Sequence, residues 1–132
     1  MRTKPPRERE SKIQRSIVVR LRRLGIILHR RNVAAWQRTD NGRFRFIRCG
    51  KAGQSDLYGW DLKTARHWEI ETKAKGEKPT PKQLEWLLEC HGQGCVAFWS
   101  DSADIAERVA EAVLRGGKIA WRDDGTFDVE VD

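Results

Sequence analysis

The strongest local constraint on the fold is the triplet Asp40-Asn41-Gly42. Asn-Gly supplies the positive φ angles of a tight hairpin, so the flanking segments must return as antiparallel strands. Phe44 and Phe46 alternate with Arg43 and Arg45 in the returning strand, which predicts one apolar and one basic face. Upstream, Ile26 to Trp36 reads as a strand. Before it, Ile13, Ile17, Leu21 and Leu24 recur at helical spacing, from a start near Pro6 or Arg7 to a stop at Gly25.

Downstream, Gly50 and Gly53 punctuate a loop, and short strands follow at about 55–61 and 67–73. Thr80-Pro81-Lys82-Gln83 is a helix start with a capping residue, a first-turn proline and a capping box, and Leu84, Leu87 and Leu88 mark the stripe to be buried. Val96-Ala-Phe-Trp99 is an apolar run of the kind found in a central strand. Ile105, Val109 and Val113 mark another helix, closed by Gly116-Gly117, and a hairpin around Asp124-Gly125 pairs Lys118–Trp121 with Thr126–Val131. This order predicts an α/β sandwich around a mixed sheet of four to six strands flanked by helices. Residues 1–6 read as a mobile basic arm and 7–132 as one domain, with a core over 8–115 and the hairpin over 118–131.

Charge is unevenly distributed along the 132 residues. Residues 1–48 hold 15 Lys/Arg against 3 Asp/Glu, a balance of +12, whereas residues 49–132 hold 11 against 16, a balance of −5, for a net +7. A basic half of this kind suits a polyanion, most simply nucleic acid. Three cysteines (Cys49, Cys90 and Cys95) without a CxxC pair suit neither a disulfide framework nor a structural zinc site, and point to a reducing interior. No apolar run reaches the length of a membrane span, and the chain is expected in the cytoplasm of a bacterium or a phage-infected host.

Chemistry concentrates in three places. Asp56 opens one strand, Glu71-Thr72-Lys73 ends the next, and Glu10 lies on the apolar stripe of the first helix, where it faces the protein body. Carboxylates from neighbouring strands converge readily on a hard cation such as Mg²⁺, which prefers oxygen ligands. An ammonium two residues away on the same strand face lies within reach of the scissile phosphate of a nucleic acid.

Gly53-Gln-Ser-Asp56, then Trp68-Glu-Ile-Glu-Thr-Lys73, then Thr80-x-x-Gln83 resembles the PD-(D/E)XK nuclease superfamily. More narrowly, with Glu10-x-x-Ile13-Gln14 before them, these motifs resemble the VRR-NUC family, whose stand-alone members are common in bacteriophages. The similarity spans about residues 8–100 and implies a restriction-endonuclease-like fold. It also implies roles: Asp56 and Glu71 as metal ligands, the main-chain carbonyl of Thr72 as a third, and Glu10 as a ligand directly or through water. Lys73 would position the attacking water, and Gln83 would orient Lys73 or contact the phosphate. Ser55 stands where many superfamily members carry proline. The activity implied is a Mg²⁺-dependent endodeoxyribonuclease, with Mn²⁺ as a possible substitute. Holliday junctions or other branched DNA would be its substrate and a homodimer its working form.

Plainer readings stand beside these. Glu69, Glu71 and Lys73 would also suit the wet face of an exposed strand. Gln83 would serve the capping box alone, and Glu69 shares the strand face while lying outside the Glu-x-Lys frame. Arg30, Arg31, Arg43, Arg45 and Arg48, with Lys51 and Asn32, are the candidate DNA contacts. Trp36 and Trp60 are candidates for stacking on exposed bases. The alternative to a nuclease is a nucleic-acid-binding module of the same fold that does not cut.

Overall fold

A computed structural model describes residues 6–31, 34–48 and 51–131, with the side chains of 6–9, 34–38 and 44–48 outside that description. Helix α1 spans Pro6–Arg23 and leads through a turn at Leu24-Gly25 into β1 (Ile26–Arg30). Strands β2 (Ala34–Arg38) and β3 (Phe44–Arg48) form a separate antiparallel hairpin. Its turn is the one expected at Asp40-Asn41-Gly42, closed by Thr39 N–H donating to Arg43 O over 2.6 Å and Gly42 N–H donating to Thr39 O over 3.0 Å. The facial polarity expected of this hairpin, residues 1–5 of the arm expected over 1–6, and Asn32 and Cys49 all lie outside the described residues or side chains, and Pro6 already belongs to α1.

Strands β4 (Leu57–Asp61) and β5 (His67–Thr72), helix α2 (Pro81–Gly92), strand β6 (Val96–Ser100), helix α3 (Ala103–Leu114) and the hairpin β7 (Lys118–Trp121)–β8 (Phe127–Glu130) complete the chain. The main sheet has four strands in the order β1-β4-β5-β6, antiparallel except for the parallel pair β5–β6 joined across α2. The architecture is thus the mixed α/β sandwich expected from the sequence. The single strand expected over Ile26–Trp36 is instead two, because β1 leaves the sheet after Arg30 and β2 pairs only with β3.

Strand β1 runs against β4 so closely at Gly59 that a Cβ there would sit 1.7 Å from the Ile27 carbonyl oxygen. One sheet face, with Ile26, Leu28, Leu57, Trp68, Ile70 and Phe98, packs on Ile17 and Leu21 of α1 and on Ala106, Val109 and Ala110 of α3. Ile119 of β7 joins this core, with Trp121, Phe127 and Val129 packed against it. These residues explain why the apolar run of β6 ends the sheet order yet is buried: α3 and the last hairpin cover it. On the other face, Leu87 and Cys90 of α2 meet Ala97, with Trp86 and Trp99 packed around them.

Two helical stripes are rotated from their expected phase. Leu88 is 44% exposed, and α2 instead turns Trp86, Leu87 and Cys90 inward. Ile105 is likewise exposed, with small Ala106 and Ala110 filling the closer contact beside Val109 and Val113. Among the described residues no helix is long and apolar enough to cross a membrane.

Candidate active site

Strand β5 is buried along nearly its whole length because it lies between β4 and β6, with the α1 and α3 core on one face and α2 on the other. Glu69, Glu71 and Lys73 are only 0%, 3% and 8% exposed, so the wet-face reading of their alternation fails. Three charged side chains inside a fold are costly unless partnered. The partners come mainly from four other segments of the chain: α1, Arg31, Ser55–Asp56 and α2.

Glu10 of α1, Asp56 at the entry to β4 and Glu71 of β5 meet: one carboxylate oxygen of each lies within 4.8 Å of the others. Asp56 Oδ1 accepts the Thr72 N–H over 2.9 Å, which ties the two strand ends together, and its carboxylate also bonds the side chain of Gln14, one turn after Glu10 on α1. Burial, followed by the charge of Glu10, pushes the Asp56 carboxyl up to about 6 against the hydrogen bonds that oppose it. Burial raises Glu71 further, to about 8, with the Asp56 charge as the next cause and Lys73 as the main opposing one.

Lys73 Nζ is 3.7 Å from Glu71 Oε1, and the same oxygen accepts Gln83 Nε2–H over 3.0 Å. Glu71 Oε2 is buried with no hydrogen-bond partner. A buried carboxylate oxygen without a donor, beside two further acids, fits a divalent cation. The donor set is all oxygen, which suits Mg²⁺ or another hard divalent ion. Thr72 Oγ1 is also buried without a partner.

Gln83 has two contacts that the sequence left as alternatives. Its Oε1 accepts the Thr80 N–H over 2.9 Å while its own N–H donates to Thr80 Oγ1 over 3.3 Å, completing the capping box, and its Nε2 reaches Glu71. Gly53 brings this helix start close to the Asp56 loop. It adopts φ +87°, and a Cβ there would lie 2.7 Å from the Lys82 carbonyl oxygen.

Glu69 belongs to a second, fully partnered cluster that the sequence pattern did not disclose. Arg31 Nη1 and Nη2 donate to its two oxygens over 2.6 and 3.0 Å; Ser55 Oγ and Trp86 Nε1 donate to Oε1 over 2.6 and 2.8 Å; and His67 Nε2 lies 2.5 Å from Oε2. These bonds outweigh burial and hold the Glu69 carboxyl below its ordinary range. Arg31 also donates from Nη1 to Ser55 O over 2.9 Å and from its backbone N–H to Asp56 O over 2.8 Å. Its guanidinium therefore faces the protein rather than open solvent, and Ser55 uses its hydroxyl where a proline would offer none. The only sequence hint of this cluster is that Glu69 shares a strand face with Glu71.

The remaining candidate contacts are scattered. Arg30 and Arg43 are exposed, and Arg45 and Arg48 lie on β3 with their side chains outside the description. Lys51 is exposed, 3.8 Å from Glu89, at a cavity of about 220 Å³ lined also by Lys82, Glu85 and Trp86. Cys90 is a buried free thiol, and burial pushes it up to about 12.

A solved structure described as a VRR_NUC domain superposes on this chain with a TM-score of 0.55, covering 78% of this chain and 95% of that one at 21% identity. The chain has the VRR_NUC domain fold. No family model and no curated protein matches the sequence. The fold match extends over most of the chain and agrees with the resemblance carried by the Asp56, Glu71-Thr72-Lys73 and Gln83 motifs.

Proposed function

We propose that this chain is a divalent-metal-dependent endodeoxyribonuclease, selective for branched DNA such as Holliday junctions. The observation that carries the reading is the convergence of Glu10, Asp56 and Glu71 beside Lys73, with Glu71 Oε2 lacking any donor, in a chain with the VRR_NUC fold. Asp56 and Glu71 would hold the ion, with Glu10 and the Thr72 carbonyl as further oxygen donors. Mg²⁺ is the natural occupant and Mn²⁺ a substitute. When bound, such an ion neutralises phosphate charge and acidifies water.

The chain's own residues do the remaining work. Lys73 donates towards the attacking water and holds it in line with phosphorus. Gln83 fixes the Glu71 carboxylate so that its free oxygen faces the cluster. The new bond joins the water oxygen to phosphorus, the bond to the departing sugar oxygen breaks, and that oxygen takes up a proton. Arg31, by contrast, acts through Ser55 and Asp56, keeping the Asp56 backbone in place. Arg30, Arg43, Arg45, Arg48, Asn32 and Lys51 are proposed to neutralise the DNA backbone without reading sequence.

Selectivity for branches is favoured by the absence of any base-reading helix motif in the sequence, and a homodimer would place one site on each strand of a junction. A cytoplasmic, phage-related setting belongs to the same proposal. The non-cleaving alternative has no observation in its favour, since the acids and the lysine are all present and assembled. Labelled four-way junction, flap and duplex DNA, incubated with Mg²⁺ or EDTA, test the reading. Cutting should require the ion, favour the branched substrates and vanish in Asp56→Ala and Lys73→Ala. Ion-dependent cutting unchanged in those variants would refute the site.

A further inference from the structure

The two faces of the main sheet are unequally covered. On the face that carries Glu69 and Glu71, α2 packs over the β6 side and leaves the β1–β4 half open. There His29 is exposed and Trp60 is 41% exposed, although β4 is an inner strand. The His29 ring lies 5.4 Å from Trp60 and 5.8 Å from Tyr58, centre to centre. The guanidinium of Arg31 sits 4.5 Å above Tyr58 and 5.8 Å from the Trp86 ring, to which Lys51 Nζ also comes within 5.8 Å. Rings and cations thus form one row from β4 to α2. Tyr58 is one pleat repeat along β4 from Asp56, about 6–7 Å.

We propose that Trp60, His29 and Tyr58 form a stacking platform for unpaired DNA bases, continuous with the acidic cluster. Flat aromatic rings accept the face of any base, and the Arg31 guanidinium, held in place by Glu69, extends the row of planar groups over Tyr58. Tyr, Trp and Arg serve protein interfaces as readily as bases; bases are favoured here because the row adjoins the acidic cluster in a chain whose N-terminal half is strongly basic. Bases inside an intact duplex offer only their edges, so this surface is useful where the strand beside the cleaved phosphate is unpaired. The proposal deepens the nuclease reading, on which it rests, by naming the substrate feature that the site would grip.

The test uses the full chain in EDTA, so that binding is measured without cutting. Fluorescence anisotropy compares labelled oligo(dT) of twelve nucleotides with a duplex of equal length, both at the same low salt. Trp60→Ala should weaken oligo(dT) binding roughly five- to hundred-fold, as for loss of one stacked base, while duplex affinity changes less than two-fold. Trp60→Phe should restore most of the loss, and an unchanged melting temperature excludes misfolding as the cause. Unaltered oligo(dT) binding by Trp60→Ala, or equal loss on both DNAs, overturns the platform. So does conversion of a dimer to a monomer by Trp60→Ala without DNA, which assigns the face to a second copy of the chain. Cutting with Mg²⁺ is scored separately: a wild-type chain that grips oligo(dT) through Trp60 but never cuts defeats the nuclease reading and supports the platform.

Discussion

Asp56→Asn probes the cost of burying a charge at Asp56 beside another acid while sparing its backbone hydrogen bond. The amide oxygen of Asn can still accept the Thr72 N–H that Asp56 Oδ1 accepts over 2.9 Å. What disappears is a charge facing Glu10 and Glu71. The folded carboxyl titrates near 6 rather than 3.8, so the folded state binds its proton more tightly than the unfolded chain does. Such a group costs no stability below pH 4, and its cost grows as pH rises and is complete above about 6. A shift of about two units corresponds to roughly 3 kcal/mol at most. Stabilisation of the metal-free protein by about 1–3 kcal/mol at pH 8 follows, equivalent to ~3–10 °C in melting temperature for a chain of this size. Thermal unfolding in EDTA should show this gain at pH 8 and lose it near pH 4. Mg²⁺ should raise the melting temperature of the wild type but scarcely that of the variant, whose DNA cutting should fall roughly 10³-fold or more. A variant that melts below the wild type in EDTA at pH 8 would refute the cost assigned to the buried Asp56 charge. An equal Mg²⁺ response in both would place the ion elsewhere.

Because Glu71 titrates near 8 and Asp56 near 6, ion binding at pH 7 should release about one proton, and affinity should rise steadily from pH 6 to 8; calorimetry in buffers of different ionisation enthalpy reads both. Gln83→Glu keeps a capping-box acceptor but replaces the donor to Glu71 Oε1 with a negative charge, so both the melting temperature in EDTA and cutting should fall, whereas Gln83→Ala should lose about 1 kcal/mol of stability in denaturant titration. Glu69→Gln weakens a buried ion pair with Arg31 and should cost about 3 kcal/mol or more, read by urea unfolding. Gly59→Ala drives a methyl group into the Ile27 carbonyl and should leave little folded protein, as judged by circular dichroism.

Much of the fold was legible because its signals are local. Helical spacing marked α1, Asn-Gly marked the β2–β3 turn, and Thr80-Pro81 marked the start of α2, all where the structure has them. Phase was harder. Periodicity nominated Leu88 and Ile105, but neighbouring alanines and tryptophans decided which side faced inward. The extent of Ile26–Trp36 was misread because no Gly or Pro marks the point after Arg30 where the chain changes partners. Within the site, the acids and Gln83 were nominated by motif, and the structure brings Glu10, Asp56 and Glu71 together from three separate elements. The Glu69 cluster was not legible, since Arg31, Ser55 and Trp86 reach it from three other segments with no sequence spacing in common, and His67, two residues away on β5, signals nothing by itself.

Gly53 gives the site a fixed gauge. The Asp56 loop and the first turn of α2 touch through a gap that only a hydrogen atom fills, at a backbone angle other residues resist. Any side chain introduced there would act as a wedge, prising the aspartate away from the glutamine-bearing helix while leaving every chemical group in the chain intact. The tolerance of the assembly is therefore set at a position that takes no part in its chemistry, and a library randomised at residue 53 should return glycine alone among working clones.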